Sequence, residues 1–384
     1  MKVLTVNSLG GFKGGIEKLV YVTAGMLSRN GYQVYGLFEH RFNYDSLFAS
    51  VFEEVYALDS DPLDRIIKEL KALGIKTVII HKIQSLALLT ALQREFHTVV
   101  FVHDHDYYCM RHHKYVPLLH LNCNLHFNLC RCSLCSMLVD RGEPGAIPSL
   151  FNPWHRMQLL HRIRRCDRFI VLSDFMRHNL ADNGFPLDRI VKINPPAAPA
   201  AEPPPFSGAR NLLFAGPLLP GKGVDLLLKA LTRVKSCFTL RIVGSGSEKS
   251  RLIRQTLESN LSEKVEFMDY VDDLSLEYKR ADIVVVPSRW QEPFGLIGIE
   301  AFCNARPVVA FLNGGIGEWL RDGWNGLAVK PGDIDNLAEK IEFLLTHPEE
   351  AETMGHNGWN MVKEEYHPNR FLTALNALLE DPNV

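Results

Sequence analysis

The stretch Pro287-Ser-Arg-Trp-Gln-Glu292-Pro-Phe-Gly-Leu-Ile-Gly-Ile-Glu300 follows directly on the apolar run Asp282-Ile-Val-Val-Val-Pro287. A short apolar run is typical of a buried strand in a parallel sheet, and the proline and glycines after it predict a turn into a helix. At the carboxyl end of a parallel strand such a turn points backbone N–H groups outward, where they favour a bound anion. The stretch therefore predicts an α/β fold with a ligand site at this strand end.

Two carboxylates bracket this turn, and their separation limits what they can do. If residues 294–305 are helical, Glu300 lies inside the helix and Glu292 just before it, on the order of 10 Å away at ~1.5 Å rise per residue. That distance is too long for both to act on one bond. It suits gripping the two ends of an elongated ligand whose phosphates sit on the amides between them. We interpret the stretch as a clamp for a nucleotide sugar.

The length and composition favour a two-domain globular protein. At 384 residues the chain exceeds what a single core usually supports, and its hydrophobic content of 46% is ordinary. A net charge of −2 argues against a nucleic-acid-binding protein. The sequence contains no apolar run of the roughly 18 residues that span a bilayer. The first strand pattern begins at Met1, which leaves no room for a signal peptide, so we expect a cytoplasmic location.

Strand patterns alternate with helix-length segments in both halves, which predicts two doubly wound parallel sheets. The predicted strands are 1–7, 34–38, 77–81, 98–103, 169–173 and 190–193, then 211–215, 240–243, 265–268, 283–286 and 308–311. A proline-rich run, Pro195-Pro-Ala-Ala-Pro-Ala-Ala-Glu-Pro-Pro-Pro205, predicts an extended linker between the halves. We predict a first domain over 1–194 with a Cys/His-rich insert at about 105–150, a linker over 195–209, a second domain over 210–366, and a helix over 367–384 that can cross back to the first domain.

Several short motifs follow one another at strand ends and turns along nearly the whole chain. They are Gly14-Gly15-Ile16-Glu17, Phe214-Ala-Gly216, Lys222-Gly223, Ile242-Val-Gly-Ser-Gly246, the Glu292 to Glu300 stretch, Gly314-Gly-Ile-Gly-Glu318 and Asn325-Gly326. Each motif is weak alone, but the ordered set resembles the retaining nucleotide-sugar glycosyltransferases of family 4. The resemblance implies the GT-B fold, in which two facing Rossmann-like domains enclose a cleft. It also implies that the domain over 1–194 binds the acceptor and the domain over 210–366 binds the nucleotide-sugar donor.

The same resemblance implies roles for residues of the reaction. His103 matches the histidine near the reacting sugar carbon, Lys222 would neutralise the leaving diphosphate, and Glu292 would contact hydroxyls of the donor sugar. The resemblance implies a metal-independent reaction, so no metal site and no cofactor are expected.

Further positions are implied to bind the donor. Glu300 would hold the ribose hydroxyls, and the base would rest on main chain near Val271. The remaining expected contacts of the diphosphate and sugar are Gly15, Gly216, Lys222, Phe294, Gly295 and Leu296.

The chain departs from the family pattern at two positions. Pro217 stands where the family commonly has an arginine that assists the lysine, and loss of a fixed charge near the leaving group weakens transition-state stabilisation. Arg289 is our candidate for the substituting cation. Ala305 stands where the family usually has glycine, and we expect a small packing change there.

Other classes of protein match parts of the sequence. Residues 216–223 nearly form a P-loop, but Gly223 replaces the Ser/Thr that holds magnesium, and Pro217 lacks an N–H group. Gly244-Ser-Gly246 begins a dinucleotide fingerprint whose third glycine is missing, which argues against a dehydrogenase. Asp104-His-Asp106 imitates the Asp-x-Asp metal motif of the other glycosyltransferase fold.

Five cysteines lie within 27 residues, at Cys109, Cys123, Cys130, Cys132 and Cys135, beside several histidines. Three alternatives stay open for the cluster: a structural zinc site, which we do not favour, an occasional disulfide, and packed free thiols. The insert follows His103, so we expect it to form a wall of the acceptor cleft.

Residues 154–165 form a basic amphipathic stretch that could make weak peripheral contact with the inner face of a membrane. The alternative to membrane contact is a solvated helix whose residues Leu159, Leu160 and Ile163 pack on the protein.

The resemblance thus implies a retaining hexosyltransferase that uses a nucleotide sugar, with uridine favoured, and an acceptor hydroxyl of a glycan, a lipid-linked molecule or a small molecule. The alternatives are a non-catalytic protein that binds a nucleotide sugar and a sugar-nucleotide epimerase of the same fold.

Overall fold

A computed structural model describes residues 1–12, 14–41, 46–116, 119–137, 152–271 and 273–380. The described chain contains two separate parallel sheets and one small antiparallel hairpin. No helix in these ranges is long and apolar enough to cross a membrane.

The first sheet has seven parallel strands from the first half of the chain, in the order β3-β2-β1-β4-β5-β8-β9. Apolar side chains of these strands are buried on both faces, as the helix-covered sheet requires. The strands are β1 Lys2–Gly10, β2 Gln33–Arg41, β3 Val55–Ala57, β4 Thr77–Ile80, β5 His97–Phe101, β8 Arg168–Val171 and β9 Ile190–Lys192. Between β5 and β8 the chain forms the hairpin of β6 Tyr115–Val116 and β7 Leu121–Asn122.

Helices of the first half cover this sheet, and one of them, α5, belongs to the insert. They are α1 Gly15–Arg29, α2 Ser46–Ala49, α3 Leu63–Ala72, α4 Leu86–Glu95, α5 Leu129–Met137, α6 Pro153–Ile163 and α7 Asp174–Asp182. In α6 the residues Leu159, Leu160 and Ile163 are at most 2% exposed, so its apolar side packs into the protein core.

The second sheet has six parallel strands in the order β12-β11-β10-β13-β14-β15. Its strands are β10 Asn211–Ala215, β11 Thr239–Val243, β12 Val265–Met268, β13 Ile283–Val286, β14 Val308–Phe311 and β15 Gly326–Val329. Its helices are α8 Val224–Leu231, α9 Lys249–Glu258, α10 Ser275–Arg280, α11 Leu296–Cys303, α12 Ile334–Thr346 and α13 Pro348–Glu365. The last helix, α14, spans Pro368–Glu380.

Strand order reverses between β1 and β4 in the first sheet and between β10 and β13 in the second. Crevices for ligands form at such reversal points, outside the carboxyl ends of the strands. The stretch quoted above leaves β13, so it lies at the reversal point of the second sheet.

The final helix contacts the first half of the chain. The hydroxyl of Tyr32 donates to Glu380 at 3.2 Å, and the rings of Phe101 and Phe371 lie 6.4 Å apart between centroids. Residues 193–210, which join the two sheets, contain no helix or strand. The exact domain limits stay predictions.

The predicted α/β class with two doubly wound parallel sheets is confirmed, and each predicted strand exists with ends shifted by at most a few residues. The expectation of a helix over 294–305 was too wide, because the helix spans Leu296–Cys303. Strands β3 and β15 and the hairpin were not predicted. Each is short, and β15 begins at a glycine, a residue that in the sequence indicates a turn.

Candidate active site

The loop from β13 to α11 carries Glu292, and α11 carries Glu300, as the spacing predicted. Gly295 caps α11 with φ of 86°, a left-handed conformation that a glycine adopts without strain. Phe294 before it is buried and Leu296 begins the helix, so the turn is anchored by an aromatic ring.

Three donors converge on a single oxygen of Glu292. Its Oε1 accepts hydrogen bonds from Lys222 Nζ at 2.6 Å, Ser288 Oγ at 2.6 Å and the Trp290 indole nitrogen at 2.7 Å. Among the residues described, none donates a hydrogen bond to the other oxygen, Oε2. The carboxylate is therefore fixed by one oxygen and has the second available for a ligand.

Charge pairing keeps Glu292 ionised although it is buried. Burial alone would raise the pKa of its carboxyl, but the charge and hydrogen bond of Lys222, with those of Ser288 and Trp290, hold the pKa below its usual range. At neutral pH the site therefore holds an anion and a cation side by side.

The glycine-rich loop at residues 314–318 contacts the backbone of Glu292. Gly315 N donates to the backbone oxygen of Glu292 at 2.7 Å, and a Cβ on Gly314 would lie 2.3 Å from that same oxygen. Only glycine allows this approach, since Gly314 also has φ of 66°. The Gly314-Gly-Ile-Gly-Glu318 motif thus fixes the backbone at Glu292.

Lys222 ends a single turn of 3₁₀-helix, Pro220–Lys222, that precedes α8. Gly223 follows with φ of 70°, and a Cβ there would lie 2.0 Å from the backbone oxygen of Pro287. The close packing of Gly223 against Pro287 brings the two loops together, and with them Lys222 and Glu292.

Gly216, at the end of β10, has φ of 145°, and its backbone oxygen would lie 2.0 Å from a Cβ on Gly244.

Trp290 joins these groups, and the sequence analysis missed it. The ammonium of Lys222 lies 4.7 Å from its ring centroid, and a Cβ on Gly221 would lie 2.4 Å from its ring. His113, from the insert in the first half, packs on the same ring at 4.0 Å between centroids. The only sequence signal was the position of Trp290 two residues before Glu292.

Glu300 is held by a buried tyrosine on a neighbouring helix. The hydroxyl of Tyr278 donates to Glu300 Oε2 at 2.9 Å, and Tyr278 is 2% exposed. Burial, then the charge of Glu300, raises the pKa of Tyr278 well above its usual range, so it remains a donor. Val271, after β12, is partly buried against the same apolar core.

Arg289 forms a paired contact with Asp225 on α8. Both guanidinium nitrogens contact the carboxylate, with NH2 to Oδ2 at 2.6 Å, and the two side chains are 12% and 9% exposed. A second bond from NH1 reaches the backbone oxygen of Pro220 at 3.1 Å. The guanidinium thus stabilises the turn that carries Lys222. That Arg289 replaces the cation missing at Pro217 stays a prediction.

His103 lies just beyond β5, in a stack of three rings with Phe101 and His81. Its Nε2 is 2.9 Å from His81 Nδ1, so one of the two nitrogens donates and the other accepts. Burial, then the neighbouring His81 and Lys82, holds the pKa of His103 well below its usual range. The imidazole is neutral at physiological pH.

Gly15, which begins α1, has open space where a Cβ would stand.

The two aspartates that imitate a metal motif have other partners. Asp106 contacts Lys82 and His112, and its backbone N–H donates to Asp104 Oδ1 at 2.8 Å. Burial and the charge of Asp106 raise the pKa of Asp104 to about 7, against the opposing effect of Lys82. For Asp106, burial is outweighed by His112 and Lys82, and its pKa falls below the usual range.

Side chains of the first half hold the loop from β13 to α11 by its backbone. The backbone oxygens of Arg289, Gln291 and Pro293 are contacted by Asn122 at 2.8 Å, His105 at 3.3 Å and Ser173 at 2.5 Å, respectively. Because the contacts alternate along the loop, they fix its course next to Glu292. Asn122 and His105 of the insert thus lie against this loop, and the expectation that the insert walls the acceptor cleft stays a prediction.

The clustered cysteines are free thiols, and three of the five accept weak hydrogen bonds. Cys109 accepts from Lys114 N at 3.3 Å, Cys132 from Asn128 N at 3.4 Å and Cys135 from Arg111 Nε at 3.1 Å. Over the ranges given above, no group of three or more His, Cys, Asp or Glu side chains is arranged to hold a metal. Metal analysis of protein purified without added zinc tests the zinc alternative.

Comparison with known proteins places both halves in one group. The model of glycosyltransferase family 4 matches residues 13–199, and that of the group 1 glycosyl transferases matches residues 201–361. Among curated relatives, glycogen synthase of Mycobacterium tuberculosis H37Rv is 33% identical over 159 residues, which is 40% of this chain and 38% of the relative. The uncharacterized glycosyltransferase MJ1178 of Methanocaldococcus jannaschii is 32% identical over 154 residues, or 40% and 43%. The chain matches about two fifths of the length of these relatives.

Solved structures match the whole fold. Anabaena Alr3699/HepE in complex with UDP and glucose has a TM-score of 0.73 at 17% identity and covers 99% of this chain and 100% of that one. S. aureus TarM in complex with fondaparinux, α-GlcNAc-glycerol and UDP has a TM-score of 0.74 at 13% identity, with coverage of 99% and 100%. Two Rossmann-like sheets in this arrangement define the GT-B class of glycosyltransferase fold. Within that class, the chain belongs to glycosyltransferase family 4.

Proposed function

We propose that this protein is a retaining glycosyltransferase that moves a hexose-type sugar from a nucleotide-sugar donor to an acceptor hydroxyl without a metal. Uridine is the favoured base, because Alr3699/HepE and TarM carry UDP in their structures. The acceptor is a hydroxyl of a glycan, a lipid-linked molecule or a small molecule.

The arrangement around Glu292 carries this proposal. Lys222, Ser288 and Trp290 hold one oxygen of a buried carboxylate, so the second oxygen can accept from sugar hydroxyls in a fixed direction. Lys222 lies beside this carboxylate and can shift toward a diphosphate that arrives between the two loops. A diphosphate at that place would offer the ammonium a second charge-assisted hydrogen bond.

The donor would lie along the first turn of α11. The amides at Gly295 and Leu296 begin the helix, where free N–H groups and the helix dipole favour phosphate. Glu300, held by Tyr278 one turn further, would accept from the ribose hydroxyls. The base would then reach the main chain near Val271.

In the reaction, the bond between the anomeric carbon and the phosphate oxygen breaks, and its electron pair leaves with the diphosphate. The acceptor oxygen attacks from the same face, and its proton passes to the departing phosphate oxygen. Lys222 and the helix amides stabilise the developing anion, while the closed loops exclude water. Neutral His103 would accept from a sugar hydroxyl near the reacting carbon.

Mass-spectrometric screening of UDP-, GDP- and ADP-sugars tests the proposal, since a transferase consumes one donor and releases its nucleoside diphosphate. Glu292→Ala should lower kcat by about 100-fold. Glu300→Ala should mainly raise the donor KM, by about tenfold. Glu258→Ala, an exposed glutamate at the end of α9, is the matched control and should change neither.

One observation favours a second function, a sensor that binds the donor without turning it over. Pro217 replaces the usual arginine, and Arg289 is paired with Asp225. A sensor would bind the donor and release it intact whatever acceptor is supplied. Release of nucleoside diphosphate in the presence of acceptor excludes the sensor.

A further inference from the structure

The insert and the helix that follows it differ in charge from the rest of the chain. Residues 107–137 and 152–166 contain seven Arg and Lys and no Asp or Glu, although the whole chain has a net charge of −2. The intervening residues 138–151 add Asp140, Arg141 and Glu143. The local charge is therefore strongly positive.

Exposed apolar side chains concentrate in the same region. Of the fifteen large hydrophobic residues that are exposed in the described chain, five lie between residues 119 and 154. They are Leu119 at 60%, Leu121 at 58%, Leu125 at 52%, Leu134 at 68% and Trp154 at 61% exposed. Scattered single exposures are normal for a folded protein, but this density in a short segment is unusual.

On each of two helices an exposed apolar side chain shares a face with basic or polar side chains. On α5, Arg131 and Leu134 are both exposed and three residues apart, so they lie on one face. On α6, Trp154, Gln158 and His161 follow at spacings of four and three on the exposed face. Helices α5 and α6 contact each other, which places these faces in one part of the surface.

Three arginines of this region have no acidic partner among the described residues. Within the described residues, Arg131, Arg162 and Arg165 form no ion pair with a carboxylate, and Arg131 and Arg165 are exposed. We call the set the insert surface, and it consists of Leu119, Leu121, Leu125, Leu134, Trp154, Arg131, Arg162 and Arg165.

We propose that the insert surface docks the protein on a bilayer of anionic phospholipid. Exposed leucines and an exposed tryptophan suit the boundary between headgroups and acyl chains, and unpaired arginines suit a negatively charged surface. The apolar side of α6 cannot serve this purpose because Leu159, Leu160 and Ile163 are buried in the core. The contact comes from the insert together with the exposed face of α6, and not from α6 as a lone amphipathic helix.

The position of the insert gives this docking a consequence for the site. Asn122 of the hairpin donates to the backbone oxygen of Arg289, and His113 packs on Trp290 beside Glu292. A bilayer on the insert surface would therefore lie close to the mouth of the cleft. An acceptor embedded in that bilayer fits such an arrangement. This last step rests on the proposed function, whereas the docking itself does not.

Co-sedimentation of the full chain with vesicles tests the docking. Vesicles of phosphatidylcholine with phosphatidylglycerol should bind the protein, vesicles of phosphatidylcholine alone should bind at least tenfold less, and high salt should release it. The double substitution Leu125→Glu with Leu134→Glu should lower binding to anionic vesicles at least tenfold. The fluorescence of Trp154 should shift to shorter wavelength on binding, and Trp154→Phe should remove that shift.

The matched control is Leu187→Glu with Leu257→Glu, two leucines that are 51% and 60% exposed outside the insert. This pair should bind vesicles like the unchanged protein, and both double variants should unfold at the same temperature as it. No binding to anionic vesicles, or equal loss in the control pair, would overturn the docking proposal. Because donor binding is measured separately without lipid, that result would leave the proposed function standing.

Discussion

The indole nitrogen of Trp290 donates a 2.7 Å hydrogen bond to Oε1 of Glu292, and both side chains belong to one short loop. The same indole ring lies 4.7 Å from the ammonium of Lys222 and 4.0 Å from the ring of His113. Trp290 therefore links the central carboxylate, its cation and the insert of the other half. The position of Glu292 depends on both halves of the chain.

Trp290→Phe should lower kcat about tenfold with little change in donor KM. The phenyl ring preserves the packing on Gly221 and beneath Lys222, but the hydrogen bond to the charged Glu292 is lost, and such bonds contribute roughly 1.5–3 kcal/mol. Steady-state kinetics checks this split. Trp324→Phe, at a tryptophan 38% exposed beside Arg321, is the control and should leave kcat unchanged.

Tyr278→Phe should raise the donor KM about threefold to tenfold and leave kcat unchanged. The lost hydroxyl frees Glu300 to adopt other rotamers, which weakens its hold on the ribose without touching the reacting bond. Donor titration by calorimetry should show the same loss. Tyr56→Phe removes a similar bond, to Glu54 at 2.8 Å in the first half, and should not change donor affinity.

Asp104→Asn should stabilise the protein at pH 8, by on the order of 2 kcal/mol, and give no gain near pH 4. The pKa of Asp104 is raised to about 7 from 3.8, so between these values the folded protein holds a proton that the unfolded chain has released. The stability of the unchanged protein therefore falls as pH rises through this range. Asparagine cannot ionise, and it can still accept the bond from Asp106 N.

Urea unfolding at several pH values measures this difference. Asp106→Asn is the opposing variant, since its pKa is lowered by His112 and Lys82, and it should destabilise the protein at pH 8. A gain for Asp104→Asn that is the same at every pH would contradict the assignment.

Ala305→Gly should stabilise the fold by about 0.5–1 kcal/mol. Ala305 has φ of 54°, in the left-handed region that costs an alanine roughly 1 kcal/mol more than a glycine. The difference from the family pattern thus includes backbone strain, and the expected small packing change stays a prediction. Ala301→Gly, inside α11, is the control and should destabilise, and thermal unfolding distinguishes the two.

The strands of the core could be predicted because each is an apolar run bounded by turn residues. Ile283–Val286 is buried along its whole length and its bounds were predicted correctly. Two-residue strands such as Tyr115–Val116 carry no such pattern, since only the pairing with Leu121–Asn122 makes them strands. Short pairing of this kind is a tertiary effect and leaves no periodicity in the sequence.

The sequence allowed the carboxylates and the lysine of the candidate site to be named, but not the side chains that contact them. Glu292 and Glu300 could be placed by spacing on one turn and helix. Tyr278, Asp225 and His113 are distant along the chain from the groups that they contact, and a single sequence does not show such pairs. The role of each site residue stays a prediction until donor binding is measured.

The most direct measurement of the central claim is a crystal structure of the protein with a bound nucleotide sugar or its nucleoside diphosphate. We predict the diphosphate on the amides at Gly295 and Leu296, the sugar at Glu292 Oε2 and the ribose at Glu300. A diphosphate bound away from residues 292–300 would contradict the account and the chemistry proposed from it.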